Sequence, residues 1–234
     1  MKLSITSLNL QGFEHWDNRD PKIVEYLSRV SSDVVVFQEA VFLPDISPHN
    51  QAQLLNQDLN YPFEVSTISR LQSSPDYSVY REGLALLSKH PITSSDTLVL
   101  RKEEGDEHNR ILQLIDIMIN GKIFRIGHVH FSITDRVDYA TPHLQETLAI
   151  LKAREEKRIL VGDFNLTHLE ETAHLWQDEY VASTATDYVT YPSQNKRIDY
   201  ALIPKEFEFD SITVSEDGLS DHRALTVVID VKEG

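Results

Sequence analysis

The sequence predicts an α/β fold, because apolar strand-like runs recur along the chain and helical patterns lie between some of them. The chain opens with alternating polar and apolar residues from Leu3, the pattern of a half-buried strand. Asp20-Pro21 is typical of a helix start, and apolar residues at helical spacing continue to Val30. The wholly apolar run 34–37 then predicts a buried strand. The chain therefore opens as strand, helix, strand.

The same alternation returns in the second half of the chain. A helix is predicted to begin at Thr141-Pro142 and to end at the charged stretch from Arg154, and the apolar run 159–161 follows it as another buried strand. Gly162-Asp163 is predicted as the turn that ends this strand. Asn120-Gly121 is predicted as a two-residue hairpin turn. The remaining strand candidates are residues 84–87, 111–119, 123–130, 200–203 and 224–231.

Two polar segments, 42–62 and 66–81, contain proline and scattered turn formers, so we predict loops there, with a helix around residues 51–59 in the first. Long loops on a rigid sheet scaffold commonly select the substrate. We therefore expect substrate selection to depend on these two segments.

Length and composition limit the class of protein. A chain of 234 residues can bury a sizeable core, so we predict a single domain over residues 1–234 and a monomer. The formal net charge of −15 repels nucleic acid and anionic membranes. There is no cysteine, which excludes disulfides, thiolate zinc sites and cysteine nucleophiles. No secretion signal and no long apolar run is visible, so we predict no membrane span and a cytoplasmic location.

Oxygen-bearing side chains lie at the ends of several strand-like runs. They are Asn9, Glu39, Asp163, Asn165 and Asp221. Carboxylate and amide oxygens suit a hard ion such as Mg²⁺, with Mn²⁺ as a substitute. Glu39 is the strongest candidate ligand because it follows the buried run 34–37, where an unpaired carboxylate would be costly. An ordinary loop glutamate is the alternative interpretation of Glu39.

Two short motifs are more specific. In Gly162-Asp163-Phe164-Asn165, the polar side chains of Asp163 and Asn165 are two residues apart and share a side, while Phe164 can anchor the loop. The alternative is a plain Asx-turn. In Ser220-Asp221-His222, the histidine precedes a predicted strand and can be oriented by Asp199. A carboxylate-paired imidazole is held charged near neutral pH and can donate to a phosphoryl oxygen.

His128 and His130 alternate along a predicted strand and so face one side. They could form a zinc pair, but the other candidate ligands are oxygen donors, and phosphate contact by one of the two histidines accounts better for the pattern. Glu82 could orient His130 as Asp199 orients His222. Arg110 is a further candidate for a phosphate contact, with a surface arginine as the alternative.

The ordered motifs resemble those of the endonuclease/exonuclease/phosphatase superfamily, which has the deoxyribonuclease-I-like fold. The resemblance extends from Asn9 to His222. It implies a four-layer α/β sandwich, in which two mixed β-sheets pack face to face with helices outside, and a metal-dependent site at one end. One departure is the sequence His128-Val129-His130-Phe131, where many members have Asn-Thr-His, so His128 has no implied role.

The resemblance also implies roles for individual residues. Asn9 and Glu39 correspond to the metal-site pair, and Asp221 to a second carboxylate on the metal side. Asp163 corresponds to the residue that aligns or deprotonates water, and Asn165 to an anchor for phosphate and water. The remaining correspondences are His130 as a phosphate contact, Asp199 as the residue that orients the last histidine, and His222 as the transition-state donor.

The sequence thus predicts a Mg²⁺-dependent phosphodiesterase or nuclease that hydrolyses phosphate esters by metal-assisted water attack. Its net charge argues against tight binding of long nucleic acid, although nucleic acid or its termini stay among the candidate substrates. One alternative is a phosphomonoesterase acting on a small, sugar or lipid phosphate. The other is a binding module that retains the fold without catalysis.

Overall fold

The computed structural model describes residues 1–231 except Asp45, 74–78 and 134–136. Twelve strands and four α-helices lie in these residues. The strands are β1 (Lys2–Asn9), β2 (Val34–Phe42), β3 (Phe63–Gln72), β4 (Tyr80–Ser88), β5 (Ile92–Val99), β6 (Ile111–Ile119), β7 (Lys122–His130), β8 (Ile159–Asp163), β9 (Tyr180–Ala182), β10 (Asp199–Pro204), β11 (Phe207–Val214) and β12 (Leu225–Val231). The helices are α1 (Trp16–Val30), α2 (Gln51–Leu59), α3 (Ala140–Ala153) and α4 (Ala173–Trp176).

The strands form two mixed six-stranded sheets, which confirms the predicted α/β sandwich. The first sheet has the order β11-β12-β1-β2-β4-β3 and the second β5-β6-β7-β8-β10-β9. Each has one parallel pair, β1 with β2 and β7 with β8, and its other neighbours are antiparallel. One apolar core, with Ile5 and Ile126, lies between the sheets, and a second lies between the first sheet and α1 and α2. A third core lies between the second sheet and α3 and α4.

The strand–helix–strand opening and the hairpin at Asn120-Gly121 are confirmed, but the predicted start of α1 is wrong. The helix begins at Trp16, and Pro21 lies inside it rather than at its first position. Proline lacks the N–H that would bond to the carbonyl four residues earlier. That residue, Asp17, is exposed in the first turn, where water can satisfy its carbonyl.

The predicted loop over residues 66–81 is also wrong for most of its described part. Strand β3 runs to Gln72 and β4 begins at Tyr80, while residues 74–78 lie outside the described residues. β3 is an edge strand with many polar and half-exposed side chains, so it lacks the apolar run that marks a buried strand. The helix predicted around residues 51–59 is present as α2.

Gly162 does not form the predicted turn, because it lies within β8. Its φ is +142°, and a Cβ atom there would lie 2.0 Å from the carbonyl oxygen of Val129 on β7. Glycine is therefore required for the close approach of the two parallel strands. That approach brings the end of β8 beside the end of β7.

Candidate active site

The candidate site lies where the ends of the two parallel strand pairs meet. Asn9 ends β1, and His130 and Asp163 end β7 and β8. The Asn9 Nδ2 atom donates to Asp163 Oδ2 at 3.1 Å, which joins the two sheets at this edge. These three side chains therefore project from strand ends, and the core on both sides fixes their positions.

One side of the site, the carboxylate side, consists of Asp163, Asp199 and His222. The His222 Nδ1 atom lies 2.9 Å from Asp199 Oδ2, and His222 Nε2 lies 3.9 Å from Asp163 Oδ2. Burial lowers the pKa of His222, but the charges of Asp199 and Asp163 outweigh it and raise that pKa to about 10. His222 is therefore a buried cation near neutral pH.

Asp163 is the most perturbed carboxylate of this side. Burial and the neighbouring charge of Asp199 raise the pKa of Asp163 to about 7. Its Oδ1 atom accepts a hydrogen bond from the backbone N–H of Asn165 at 2.9 Å. Asn165 has a φ of 52°, and its side-chain amide donates to the carbonyl oxygen of Phe131 at 2.9 Å. A buried carboxylate with a pKa near 7 is suited to accept a proton from water.

The opposite side, the arginine side, is built on Arg110 and His130. Arg110 Nη1 donates to His130 Nδ1 at 3.0 Å, so the neutral imidazole carries its proton on Nε2. His130 Nε2 lies 3.5 Å from Asp163 Oδ2 and 4.0 Å from Glu39 Oε1. Burial, with the charge of Arg110 as the next cause, holds the pKa of His130 well below its usual value. His130 is therefore a neutral donor.

The expected pairing of Glu82 with His130 is not what the structure shows. Glu82 Oε1 accepts from Arg70 Nε at 2.7 Å and from Arg70 Nη2 at 2.6 Å. The Nδ1 atom of His130 is already occupied by Arg110. Glu82 does lie in the same cluster as Glu39 and His130, with ligand atoms within 4.8 Å of one another. Its carboxylate neutralises a buried arginine rather than orienting the histidine.

Glu39 is the carboxylate best placed to bind a cation. It lies at a β-bulge in β2 with a φ of 54°, and bulges beside active sites re-aim a side chain. Its side chain is 27% exposed, and its nearest ionic partners are Arg70 Nη2 at 3.9 Å and His130 Nε2 at 4.0 Å. Since neither distance is that of a hydrogen bond, the carboxylate oxygens can accept a metal ion.

Asp221 and Asn9 are the other two predicted ligands. The Oδ1 atom of Asp221 is buried and has no hydrogen-bond partner within the described ranges. The charge of Glu39 contributes to the raised pKa of Asp221, after burial and against the charge of His222. Asn9 Oδ1 accepts from the backbone N–H of Gln11 at 2.9 Å, which leaves one lone pair. These oxygen donors suit Mg²⁺ or Mn²⁺. Asp221 belongs to neither of the two compact groups of possible ligands found among the described residues, which contain Glu39 and Asp163 respectively.

Sequence reasoning missed the residues that join the loop after β1 to the loop before β12. Arg19 donates from Nη1 to the carbonyl oxygens of Leu10 and Leu219, at 2.8 Å and 3.1 Å. Ser220 Oγ donates to the carbonyl oxygen of Asn9 at 2.7 Å. A signal for Arg19 existed, because it precedes Ile23 by four residues and so lies on the apolar face of α1. No motif pointed to Arg70, whose strand was predicted as a loop.

His128 is a core residue and not part of a zinc pair with His130. Its side chain is fully buried, and burial lowers its pKa to about 3. Gln38 Nε2 donates to His128 Nε2 at 2.7 Å, and His128 Nδ1 donates to Gln113 Oε1 at 3.2 Å. Both ring nitrogens are therefore occupied, and neither can bind a metal.

Comparison with known proteins identifies the family. The sequence matches the model of the Endonuclease/Exonuclease/phosphatase family over residues 6–222. No significant match is found among curated protein sequences. No described helix has the length and apolarity to cross a membrane.

Three solved structures illustrate the fold. An endonuclease/exonuclease/phosphatase from Beutenbergia cavernae superposes with a TM-score of 0.81 at 18% identity, covering 98% of this chain and 72% of that one. Humanized D. rerio TDP2 gives 0.74 at 17% identity, with 98% and 99% covered. A mannosyl-6-phosphatase of Bacteroides thetaiotaomicron gives 0.71 at 18% identity, with 97% and 99% covered. At these identities the likeness shows a shared fold.

Proposed function

The chain belongs to the endonuclease/exonuclease/phosphatase family of phosphate-ester hydrolases, and we propose that within it this protein is a Mg²⁺-dependent phosphodiesterase. The proposal is carried by the clustering of a partly exposed carboxylate, Glu39, with a charged imidazole, His222, and a carboxylate of raised pKa, Asp163. Those are the metal ligand, the donor and the base that hydrolysis of a phosphate ester requires.

The proposed roles are those that the family resemblance implies, and the contacts are consistent with them. Asp163 orients and deprotonates the attacking water, and Asn165 holds that water and a phosphoryl oxygen. His222, oriented by Asp199, donates to the charge that develops on phosphorus oxygens. Glu39, Asp221 and Asn9 would hold the ion. Bound Mg²⁺ would neutralise phosphoryl oxygens and lower the pKa of water.

The charge of the site supports a diester substrate. Its carboxylates are Glu39, Glu82, Asp163, Asp199 and Asp221. Its cations are Arg19, Arg70, Arg110 and His222. When all of these groups are ionised, the site therefore has one excess negative charge. One bound divalent ion would change its net charge to a single positive charge. A phosphodiester carries one negative charge and matches that balance.

A phosphomonoesterase is the second candidate, favoured by one observation. Arg110 is only 3% exposed and has no carboxylate within 4.0 Å among the described residues. A buried guanidinium without an ionic partner can pair with the second negative charge of a monoester dianion. The structural relative named as a mannosyl-6-phosphatase is consistent with this alternative.

A substrate panel tests the proposal. We expect Mg²⁺-dependent hydrolysis of bis-nitrophenyl phosphate at a higher kcat/KM than nitrophenyl phosphate, and no turnover in excess chelator. The Asp163→Asn variant of the same preparation controls for contaminating enzymes. Preference for the monoester would favour the second candidate, and full activity in chelator would contradict metal dependence.

A salt series tests the size of the substrate. With a net charge of −15, the protein should cleave a short end-labelled diester faster than internal bonds of plasmid DNA, with little gain at low salt. A steep gain on plasmid at low salt would show that a local basic groove outweighs the net charge, as in a general endonuclease.

A further inference from the structure

A second arginine–histidine contact adjoins the site and has no part in the chemistry described above. Arg70 Nη1 lies within hydrogen-bond distance of His108 Nδ1. Arg70 is 9% exposed and is held on its other edge by Glu82, its cross-strand neighbour in β4. The contact repeats that of Arg110 with His130, since in both an arginine occupies the Nδ1 atom of a histidine.

The contact fixes the proton of His108. A guanidinium can only donate, so Nδ1 of His108 must accept and the ring proton must be on Nε2. Burial and the charges of Arg70 and Arg110 lower the pKa of His108 to about 4, which keeps the ring neutral. No hydrogen bond or ion pair involves His108 Nε2 within the part of the chain that the structure describes. His108 thus presents one preset, unused donor.

Asp106 holds the backbone of the loop that carries His108. Asp106 Oδ1 accepts from the backbone N–H of His108 at 2.8 Å, and Asp106 is buried. Asp106 Oδ2 lies 4.0 Å from Nε2 of His143 on α3, which itself donates to the carbonyl oxygen of Arg101 at 3.1 Å. Asp106 therefore holds the backbone at His108 on one side, while Arg70 contacts its ring on the other.

His108 lies close to residues of the candidate site. Arg70, which contacts His108, lies 3.9 Å from Glu39, the candidate metal ligand. Arg110 follows His108 by two residues in the sequence. Arg110, which donates to His130, also lowers the pKa of His108, so both rings lie in the field of one arginine. Through Arg70, His108 adjoins the cluster of Glu39, Glu82 and His130. A donor at that position would strengthen the binding of a phosphate ester.

We propose that His108 is a substrate-binding residue of the arginine side, which donates from Nε2 to an oxygen of the phosphate ester, and that Arg70 is the positioning residue that sets its tautomer. The inference rests on the proposed function for the identity of the ligand. It gives the arginine side two imidazole donors, His130 and His108, each preset by its own arginine. A phosphoryl group bound there would be held by neutral donors as well as by Arg110.

Paired substitutions at His108 test the donor. His108→Leu removes it, and His108→Gln keeps an N–H near the position of Nε2. We expect His108→Leu to lower kcat/KM for the best substrate of the panel about tenfold to a hundredfold, while His108→Gln stays within about threefold of wild type. Mg²⁺ affinity and melting temperature should not change. His174→Leu, at an exposed histidine outside the site and both loop segments, is the matched control for loss of an imidazole.

Nitrogen-15 spectra of the histidine side chains test the role of Arg70. The His108 signals of wild type should be those of the neutral Nε2–H form, and inorganic phosphate with Mg²⁺ should shift them. Replacing Arg70 and Glu82 together by methionine removes the ion pair as a unit and should give a mixture of tautomers. An Nδ1–H form in wild type would overturn the assignment.

The two proposals fail in different ways. A wild-type enzyme without activity on any ester would contradict the proposed function, and the phosphate-induced shift of His108 would then decide the inference alone. An active wild type whose His108→Leu variant retains full kcat/KM would overturn the inference and leave the proposed function standing.

Discussion

The two sides of the candidate site use the same side chain in opposite charge states. On the carboxylate side, Asp199 occupies Nδ1 of His222, and the imidazole is held as a cation. On the arginine side, Arg110 occupies Nδ1 of His130, and the imidazole is held neutral. Both rings are buried, so the difference comes from the partner and not from solvent access. The charge of the group that contacts Nδ1 decides what Nε2 can do.

In the proposed function, this difference gives the two histidines different roles at one phosphate. A charged imidazole can stabilise developing negative charge and give up a proton, whereas a neutral one whose Nδ1 is occupied donates a hydrogen bond from Nε2. Asp163 lies between the two, with His130 Nε2 at 3.5 Å and His222 Nε2 at 3.9 Å from its Oδ2 atom. The base is therefore placed between a cation and a neutral donor.

The largest effect is expected at Glu39, which faces the arginine side and carries the metal proposal. Glu39→Gln should lower kcat about a thousandfold and weaken Mg²⁺ binding, because the neutral amide loses the charge that attracts the ion. Kinetics with isothermal titration of Mg²⁺ measures both. Glu64→Gln, at an exposed glutamate, is the control. Unchanged Mg²⁺ affinity in Glu39→Gln would contradict the ligand assignment.

The carboxylate side should follow, with effects on kcat of about a hundredfold or more. Asp163→Asn keeps the shape but removes the base, and His222→Ala removes the cationic donor. The change in KM should be smaller in both variants, as expected for interactions strongest in the transition state. His222→Gln sharpens the comparison, since it restores a neutral donor only. Activity of either Asp163→Asn or His222→Ala within about threefold of wild type would refute the roles.

The smallest effect concerns stability rather than turnover. The folded-state pKa of His128 is about 3, below its ordinary value of about 6.5, so the unfolded chain binds more protons between these values. Stability from this residue is present above pH 6.5 and is lost as pH falls towards 3. Between pH 7 and 4.5, the free energy of unfolding should fall by about 2 kcal/mol less in His128→Gln than in wild type. Urea unfolding at both pH values measures it, and identical losses in the two proteins would contradict the account.

The sequence predicted the buried strands better than the edges of the sheets. The run 111–119 became β6 with the predicted bounds, because a strand in the middle of a sandwich is apolar over most of its length. The edge strands β3, β5, β9 and β11 were missed. The exposed side chains of β3, β5 and β11 follow no apolar run, and β9 has only three residues. Edge strands carry little hydrophobic signal, and they were the main omission.

The site shows the same contrast. Residues in compact motifs, such as Asp163 and His222, could be named because neighbouring residues in sequence are also neighbours in space. Arg70 and His108 could not, because they are 38 residues apart and meet only through the register of β3. The predicted Glu82–His130 pair was wrong for the same reason, since the arginine that takes Glu82 lies on the strand that was not predicted.

The most direct test of the account is a nitrogen-15 NMR spectrum of the histidine side chains near neutral pH, recorded with and without Mg²⁺. The account predicts that His222 is protonated on both nitrogens, while His130 is neutral with its proton on Nε2. Individual assignments come from His222→Gln and His130→Gln. Two rings in the same charge state, or titrating together near the ordinary value of about 6.5, would contradict the division of the site into a carboxylate side and an arginine side.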